Sequence, residues 1–385
     1  MTPAARYGAA IEILDQILDG TPAEKALTTW ARRSRFAGSK DRAAIRDHVF
    51  DILRRKRSTA VEGGVETGRA MVLGLLRQEG IDPATVFTGE GHAPATLSEA
   101  EQAAGQPAEG GAALDLPEAL LEMFRDSLGD DLAEYAEALR HRAPVMLRVN
   151  SRKLSRDAAI PKLAAEGIIA EVSEAAPNAL HVTEGARKIN NSNAYRDGLV
   201  ELQDGASQAV AEALPLEDGQ KVLDMCAGGG GKSLAMAARA KARFMAYDAN
   251  AQRLRDLPER ARRASAQIEV CNNPEGAAPF DLILCDVPCS GSGSWRRAPE
   301  GKWRMDADGL HDLTQLQGQI LRRAADLVAT GGTLAYATCS VLKQENDDVV
   351  ASFLAENQGF SLTREIHWLP GADGDGFYLA ILTAQ

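Results

Sequence analysis

Two cysteine motifs lie about fifty residues apart, and each directly follows an apolar run that is typical of a buried strand. Cys289 belongs to the segment 286–293 after the run 282–285, and Cys339 belongs to the segment 338–340 after the run 333–337. In an open α/β sheet, ligands bind at the carboxyl ends of the strands. We therefore expect both thiols and the neighbouring Asp286 carboxylate at the rim of one crevice.

Two thiols beside a carboxylate suit methylation of carbon 5 of cytosine. Carbon 5 is a poor nucleophile, but addition of a thiolate to carbon 6 makes it enamine-like, and it can then accept a methyl group. The adduct must afterwards lose its carbon-5 proton and eject the thiol. Asp286 is placed to act as the acid near the pyrimidine N3 and amino group. The second thiol, or a base that it positions, could assist the elimination.

The other three cysteines point to no further chemistry. Cys285 lies within a strand and Cys271 near a strand end, so both are interpreted as small buried hydrophobes, whereas Cys226 beside a glycine turn is ambiguous. An odd number of cysteines without framework spacing predicts a reducing, cytoplasmic location. No histidine lies near Cys285 and Cys289, so we expect no zinc site.

A glycine-rich turn between a strand and a helix start predicts a cofactor site. Cys226 stands where a P-loop needs its first glycine, and the dinucleotide fingerprint fits only in part, which favours S-adenosylmethionine with Asp224 facing its ammonium. Asp248 ends the next strand at the position that binds a ribose hydroxyl in Rossmann sheets, with a helix N-cap as the alternative. The predicted cofactor-binding residues are Asp224, Cys226, Ala227, Gly228, Gly229, Gly230, Gly231, Lys232, Asp248, Arg253, Asn272 and Asp286.

The elements around these motifs predict three domains in 385 residues. Residues 1–140 read as helices with a flexible segment near 85–113, and 144–215 read as a small α+β module. From 216 to 385, strands alternate with helices, which predicts an α/β Rossmann-like domain with a mostly parallel sheet. No apolar run approaches the roughly 20 residues of a membrane span, so no membrane partner is expected.

The net charge of −11 at first argues against a nucleic-acid partner. However, residues 61–144 hold 16 acidic and 5 basic side chains, so the rest of the chain sums to zero. Residues 31–57 are locally basic, and such a face attracts RNA phosphates, although a solvated helix face is an equal alternative. The predicted RNA contacts are Arg42, Arg54, Arg55, Arg296, Arg297 and Lys302.

The motif set resembles the NOL1/NOP2/Sun family of RNA 5-methylcytosine methyltransferases, and within it the bacterial RsmB type. The resemblance rests on 202–207 before the cofactor strand, the turn 226–233, the two cysteine motifs, the segment 295–303 and the late strand motif 375–378. The helices of 1–140 are similar to the NusB-like RNA-binding domain of such enzymes, and the middle module to their RRM-like domain. The chain departs from the family at Gly229 (usually proline), at Val287 (usually alanine) and at Asn272 or Asn273, where an aspartate is expected.

The resemblance implies roles that spacing alone leaves open. In this family the later cysteine, here Cys339, is the nucleophile, and the earlier one, here Cys289, supports product release. The Pro-Cys context by itself favours the opposite assignment, since DNA cytosine methyltransferases use that thiol. The implied substrate is RNA, most naturally 16S rRNA in the small ribosomal subunit.

Alternatives remain at this point. The same chemistry on tRNA, a non-catalytic RNA-binding or ribosome assembly factor, and a nicotinamide-dependent oxidoreductase on the same sheet are the rivals. The oxidoreductase leaves Cys289 and Cys339 unexplained. The oligomeric state is not indicated by any pattern.

Overall fold

The computed structural model describes residues 1–385, and the chain divides into two compact units. A helical unit comprises Met1–Glu122, Asp130–Arg142 and Trp295–Asp306, and a sheet unit comprises Met123–Gly129, Ala143–Ser294 and Ala307–Gln385. No helix combines the length and the apolar character that a membrane crossing requires.

The N-terminal part of the chain is helical, as predicted. Its helices are α1 Pro3–Leu18, α2 Ala23–Arg33, α3 Ser39–Arg54, α4 Lys56–Gly63, α5 Gly68–Gln78, α6 Glu99–Ala103, α7 Gly110–Ala113, α8 Leu121–Leu128 and α9 Leu132–Arg140, with 3-10 turns at Pro83–Thr85, Glu118–Leu120 and Gly129–Asp131. A core of aliphatic side chains from α1, α2, α3 and α5 holds the first five helices together, including Ile13, Val49 and Met71, each fully buried. Helices α8 and α9 are separated at Gly129, whose φ is +50°.

The segment 85–113, predicted as a flexible linker, is folded onto α5. Phe87 is only 2% exposed. Arg77 donates to the carbonyl oxygens of Ala104 and Gln102 at 2.6 and 3.0 Å, and Arg69 pairs with Glu101 at 2.5 Å. The polar, glycine-rich composition predicts a flexible loop. It could not show that Arg77, which is distant in sequence, donates hydrogen bonds to the backbone carbonyls of this segment and holds it in place.

The middle module has a βαββαβ order that gives a four-stranded antiparallel sheet, β2-β3-β1-β4. Its elements are β1 Val145–Val149, α10 Arg156–Ala165, β2 Ile169–Val172, β3 Ala179–Glu184, α11 Asn193–Arg196 after a 3-10 turn at Ala186–Asn191, and β4 Val200–Leu202. This order is that of ferredoxin-like folds. The helix that follows β4 contributes Val210 to the core of the larger sheet, and Leu214, just after that helix, packs there as well.

The remaining chain forms a seven-stranded sheet with the order β10-β11-β9-β8-β5-β6-β7. Its elements are α12 Gly205–Ala213, β5 Lys221–Asp224, α13 Gly231–Arg239, β6 Arg243–Ala246, α14 Leu257–Ala264 after a 3-10 turn at Ala251–Leu254, β7 Ile268–Val270, α15 Pro274–Ala277, β8 Phe280–Asp286, α16 Pro299–Lys302 after a turn at Ser292–Ser294, α17 Ala307–Ala325, β9 Val328–Thr338, α18 Asp347–Glu356 after a turn at Lys343–Glu345, β10 Phe360–Trp368 and β11 Phe377–Ala384. Strands β5 to β9 are parallel, and β11 runs antiparallel to β9 and β10. Residues 282–285 of β8 are fully buried on both faces, as expected for an interior parallel strand.

Candidate active site

Three strands that lie side by side in the sheet deliver the predicted catalytic groups to one edge. Asp224 ends β5 and Asp286 ends β8, and β8 pairs in parallel with both β5 and β9. Cys339 follows the last residue of β9, and Cys289 follows β8 by three residues. The expectation that the two motifs meet at the carboxyl edge therefore matches the structure.

The two thiols are in direct contact. The Sγ atoms of Cys289 and Cys339 are 3.3 Å apart, and both side chains are partly exposed. One sulfur must donate its proton to the other at this distance, so the pair holds a single shared hydrogen bond. A base entering the crevice would meet both sulfurs at once.

The surroundings of the pair distinguish the two thiols. The hydrogen bond from Cys289 and the charge of Lys232 lower the pKa of Cys339, against its burial and the negative charge of Asp286. The same hydrogen bond, burial and the negative charge of Glu345 raise the pKa of Cys289 well above its ordinary value. Cys339 is thus the sulfur that ionises first, and Cys289 is the one that keeps its proton.

A buried carboxylate holds the Cys289 loop in place. Glu345, fully buried, accepts hydrogen bonds from the Ser290 backbone N–H at 2.7 Å, from the Ser290 hydroxyl, and from Gln317 Nε2 at 2.9 Å. The loops are also tied to each other, because Gly293 donates to the Cys339 carbonyl at 2.9 Å. The contact between Glu345 and Ser290, which are 55 positions apart in the chain, could not be predicted from the sequence.

Asn346 holds the Cys339 loop in place, as Glu345 holds the Cys289 loop. Its amide donates to the Ser340 carbonyl at 3.0 Å, and its oxygen accepts from the Thr338 hydroxyl at 2.6 Å. These bonds fix the residues on both sides of Cys339 from an anchor that is 1% exposed. The nucleophile candidate is therefore preorganised by side chains that are themselves buried.

Lys232 forms an ion pair with Asp286 rather than facing solvent. Its Nζ lies 2.7 Å from Asp286 Oδ2 and 4.8 Å from the centre of the Phe377 ring. Burial alone would lower the pKa of Lys232, but the charge and hydrogen bond of Asp286 raise it above its ordinary value. The ammonium is thereby a fixed positive charge at the edge where Cys339 lies.

The glycine turn after β5 has the shape of a ligand cradle. Gly228 and Gly230 have φ values of +52° and +78°, a region that disfavours side chains. A Cβ added at Gly230 would lie 2.2 Å from Leu257 Cδ1. Gly229 does not have a positive φ, and a Cβ added there would lie 3.0 Å from Arg260 Nη1, the end of a flexible side chain. The turn leads directly into α13, whose N-terminal N–H groups favour an anionic ligand group.

Two carboxylates flank this turn. Asp224, 1% exposed, accepts from the Ser233 hydroxyl at 2.6 Å, while its second oxygen has no hydrogen-bond partner. Burial raises the pKa of Asp224 to about 7. A buried oxygen without a donor fits a ligand that brings one, such as the ammonium of S-adenosylmethionine, which would also return the carboxyl to its charged form.

Asp248 supports the turn from the next strand. Its carboxylate accepts from the N–H groups of Gly228 and Asn250, both at 2.9 Å, and pairs with Arg253 at 3.3 Å. The N-cap of the following 3-10 turn is Asn250, so the N-cap alternative for Asp248 does not hold. Its ribose role stays a prediction.

The contacts of Asn272, Asn273 and Cys226 show which of these residues is available to a cofactor. Of the two asparagines, Asn273 is occupied as the N-cap of α15 with a bond to Gly276 N at 3.1 Å, which leaves exposed Asn272 as the candidate. Burial raises the pKa of the Cys226 thiol to about 12, so this cysteine is inert at neutral pH.

The structure corrects three of the predicted RNA contacts. Lys302, 1% exposed, lies inside the helical unit and donates to the Arg54 carbonyl at 2.8 Å. Arg54, 6% exposed, donates in turn to the Arg296 carbonyl at 2.9 Å, and Arg296 itself is 4% exposed. These side chains build the packing between α3 and the segment 295–306, and a phosphate cannot reach them. Sequence spacing could not show this because the two segments are about 240 residues apart.

The other three candidates differ in exposure. Arg42 and Arg297 are exposed. Arg55 is largely covered, at 18% side-chain exposure, and lies 3.8 Å from Glu79.

Replacement of the buried lysine is expected to stabilise the helical unit. Burial lowers the pKa of Lys302 from 10.5 to about 7. The unfolded chain therefore binds more protons between these values, so wild-type stability rises with pH across that range. The pKa difference corresponds to roughly 5 kcal/mol of charge-burial cost below pH 7, against about 1 kcal/mol for the lost bond to Arg54.

Lys302→Met should accordingly unfold at a higher temperature than wild type at pH 6, with an advantage that shrinks toward pH 10. Thermal unfolding followed by circular dichroism at several pH values measures this. Exposed Lys25, also in the helical unit, supplies the control Lys25→Met, for which we expect no such trend. An advantage of Lys302→Met that is equal at all pH values would contradict the charge-burial explanation.

The structure reveals a basic surface that the candidate residues missed. At the end of α2, in the loop after it and at the start of α3, the side chains of Arg32, Arg33, Arg35 and Lys40 are exposed with no carboxylate paired to them, and Phe36 is 71% exposed among them. We call Arg32, Arg33, Arg35, Phe36 and Lys40 the basic loop surface. An exposed aromatic ring among unpaired cations is typical of single-stranded RNA contacts.

Comparison with known families gives a consistent result. A family model described as 16S rRNA methyltransferase RsmB/F matches residues 211–383, and a model described as the RsmF/B-like ferredoxin-like domain matches residues 116–188. Ribosomal RNA small subunit methyltransferase B of Cronobacter sakazakii is 35% identical over 280 residues, which cover 68% of this chain and 65% of that protein. The protein of the same name from Vibrio vulnificus is 34% identical over 286 residues, with 70% and 66% covered. The chain thus spans slightly less than two thirds of these curated relatives.

Solved structures support the same fold. One crystal structure is similar over 99% of both chains with a TM-score of 0.75 at 21% identity. A methyltransferase homolog protein from Pyrococcus horikoshii is similar over 72% of this chain and 100% of its own, with a TM-score of 0.61 at 23% identity. At such identities the likeness bears on the fold alone.

Proposed function

Because the chain belongs to the 16S rRNA methyltransferase RsmB/F family, we propose that it is an S-adenosylmethionine-dependent RNA cytosine-5 methyltransferase that acts on small-subunit rRNA. The observation that carries the proposal is the contact between the Cys289 and Cys339 sulfurs at the carboxyl edge of the sheet, beside the Lys232–Asp286 pair. The nicotinamide-dependent oxidoreductase alternative leaves this thiol pair unexplained.

Cys339 is the proposed nucleophile. Its lowered pKa favours the thiolate, and the thiolate adds to carbon 6 of the target cytosine. Asp286 accepts a hydrogen bond from the cytosine amino group, and the Lys232 ammonium is the nearest proton donor for the ring. We thereby modify the expected role of Asp286, since a carboxylate held by an ammonium serves better as an acceptor than as an acid.

Cys289 is the proposed residue for product release. After methylation, a water molecule takes the carbon-5 proton, the ring double bond is restored, and the electron pair of the carbon–sulfur bond returns to Cys339. The thiol of Cys289, whose proton is held by a raised pKa, donates to that departing sulfur. This step has the same geometry as the resting contact between the two sulfurs.

The cofactor would be held by the glycine turn and by the acidic and amide groups around it: Asp224, Ala227, Gly228, Gly230, Lys232, Asp248, Arg253 and Asn272. S-adenosylmethionine supplies an electrophilic methyl group when it is bound. Asp224 would take its ammonium and Asp248 a ribose hydroxyl, and exposed Asn272 would bond the adenine amino group. These assignments rest on the unpartnered Asp224 oxygen and on the strand ends.

RNA recognition is assigned to the parts outside the methyltransferase sheet. We propose that the helical unit is the NusB-like RNA-binding domain and that the ferredoxin-like module serves as an RRM-like domain. The basic loop surface supports this proposal, since its cations face solvent unpaired. The target base must leave its stack to reach Cys339, which favours a single-stranded or loop site.

Methyl transfer tests the proposal. Labelled S-adenosylmethionine is supplied with unmodified small-subunit rRNA or with unmodified tRNA, and the product nucleosides are identified by mass spectrometry. We expect 5-methylcytidine in the rRNA sample. Transfer to tRNA alone would retain the chemistry and change the substrate, whereas RNA binding without transfer to either would favour the assembly-factor alternative.

Neutralisation of the basic loop surface should weaken RNA binding. The variant Arg33→Gln, Arg35→Gln, Lys40→Gln removes three unpaired cations, so the slope of log K against log salt should become shallower by about 2. Filter binding of rRNA fragments at several salt concentrations measures the slope. The control Lys25→Gln, Lys241→Gln, Arg262→Gln removes the same charge from separate exposed positions and should change it less. Equal slopes for the two variants would place the RNA elsewhere.

A further inference from the structure

The catalytic thiols form a pair that is also suited to oxidation. Their Sγ atoms are 3.3 Å apart, whereas a disulfide bond is about 2.05 Å long, so closure requires an approach of little more than about 1 Å. Both residues are partly exposed rather than enclosed in the core, which gives a small oxidant access to this edge of the sheet. We propose that Cys289 and Cys339 are a site of reversible oxidation by hydroperoxides, which joins them in an intramolecular disulfide.

The loops around the pair favour closure over separation. The Ser292 and Ser340 hydroxyls are 2.9 Å apart, and Glu345 holds the Ser290 backbone from the Cys339 side of the crevice. The two cysteines follow neighbouring strands of one sheet, so neither can move far from the other. A sulfur oxidised in this place meets the second sulfur before it meets further oxidant.

The reaction balances with one hydroperoxide. The Cys339 thiolate attacks the peroxide, an S–O bond forms while the O–O bond breaks, and a sulfenic acid remains with hydroxide as the leaving group for hydrogen peroxide. Cys289 gives up its proton and attacks the sulfenic sulfur, forming the S–S bond and releasing the second oxygen as water. The two thiols lose two electrons, and one peroxide becomes two waters.

No other cysteine can replace either member of the pair. Cys285 is fully buried in β8, and Cys271 is 5% exposed at the end of β7. Cys226 is partly exposed, but its pKa is raised to about 12, so it has almost no thiolate at neutral pH. The oxidation is therefore confined to two of the five thiols.

Thiol counting tests the proposal without RNA or cofactor, so its failure is distinguishable from failure of the proposed methyl transfer. The reduced full-length chain is freed of reductant, treated with one equivalent of hydrogen peroxide, denatured and titrated for thiols. We expect two of the five thiols to disappear, a single crosslinked peptide pair containing Cys289 and Cys339, and full return of both thiols with dithiothreitol.

Two variants sharpen the result. Cys289→Ser removes the second sulfur, so dimedone should label Cys339 as a persistent sulfenic acid, and only one thiol should be lost. Cys271→Ser, a matched removal of one cysteine, should still lose two. The proposal would be overturned if Cys339 of the wild-type chain formed a sulfinic acid while Cys289 stayed free, or if the two thiols lost did not include Cys289.

Discussion

Cys339→Ala is expected to abolish methyl transfer, with a fall in rate of at least about 10³-fold, since removal of a covalent nucleophile leaves only binding and electrostatics. Cys339 is the thiol whose pKa is lowered, by its bond from Cys289 and by the Lys232 charge. Transfer of a labelled methyl group to rRNA under single-turnover conditions measures the loss. S-adenosylmethionine binding should remain close to wild type, because the glycine turn is untouched.

Cys289→Ala should behave differently. Without the Cys289 proton, the departing Cys339 sulfur lacks its hydrogen-bond donor, so the methylated RNA stays attached to the protein. A denaturing gel with labelled RNA should show a protein–RNA adduct that the double variant Cys289→Ala, Cys339→Ala does not form. Cys271→Ala, which removes a buried thiol outside the pair, should show neither the loss nor the adduct. If Cys339→Ala formed the adduct instead, Cys289 would be the nucleophile and Cys339 the residue for product release, contrary to our proposal.

Lys232→Met is expected to shift the pH dependence of methyl transfer. The thiolate is the reactive form, so the rate falls as pH drops below the pKa of Cys339. The Lys232 charge lowers that pKa, and without it the Asp286 charge alone acts on the sulfur and raises it. The acid limb of kcat/KM should move to higher pH, with a rate near pH 7 reduced by about 10-fold or more.

Two further variants separate charge from packing. Lys232→Arg keeps the positive charge and should leave the acid limb near its wild-type position, even where the rate is lower. Lys241→Met, at an exposed position, controls for loss of a lysine. A Lys232→Met profile that is lower but unshifted would mean that the lysine supports the fold of the site and does not tune the sulfur.

The arrangement of the sheet was predictable from local pattern. Apolar runs of strand length followed by polar turns located β5, β6, β7, β8 and β9, and the rule that ligands bind at strand ends brought Cys289 and Cys339 together. The proximity of the two cysteines followed from topology, since β8 and β9 are neighbours. Chain order and strand ends were sufficient for this part of the site.

Other parts depended on contacts between distant residues. From their own segments, Arg54 and Lys302 would be expected at the surface. In the structure both are buried, and Lys302 donates a hydrogen bond to the Arg54 carbonyl, although the two residues are about 250 positions apart in the chain. Glu345 becomes a clamp for Ser290 only after folding. Burial and pairing of a charged side chain are tertiary properties. Composition therefore identified the basic range 31–57, but it could not tell the buried Arg54 from the exposed cations around Phe36.

The segment 295–306 begins six residues after Cys289 and folds as part of the helical unit. Its Lys302 caps the end of α3 at Arg54, and Trp303 Nε1 donates to the Leu53 carbonyl at 2.7 Å. The helical unit therefore cannot be removed by deleting one stretch of the chain. A protein without residues 1–142 would still contain the segment 295–306, which is rich in tryptophan and cations, next to its catalytic loop but without the helices it packs against. Gain or loss of the whole unit in evolution requires changes at two separate places in the gene. A recombinant protein that begins at residue 143 should aggregate unless the segment 295–306 is replaced as well.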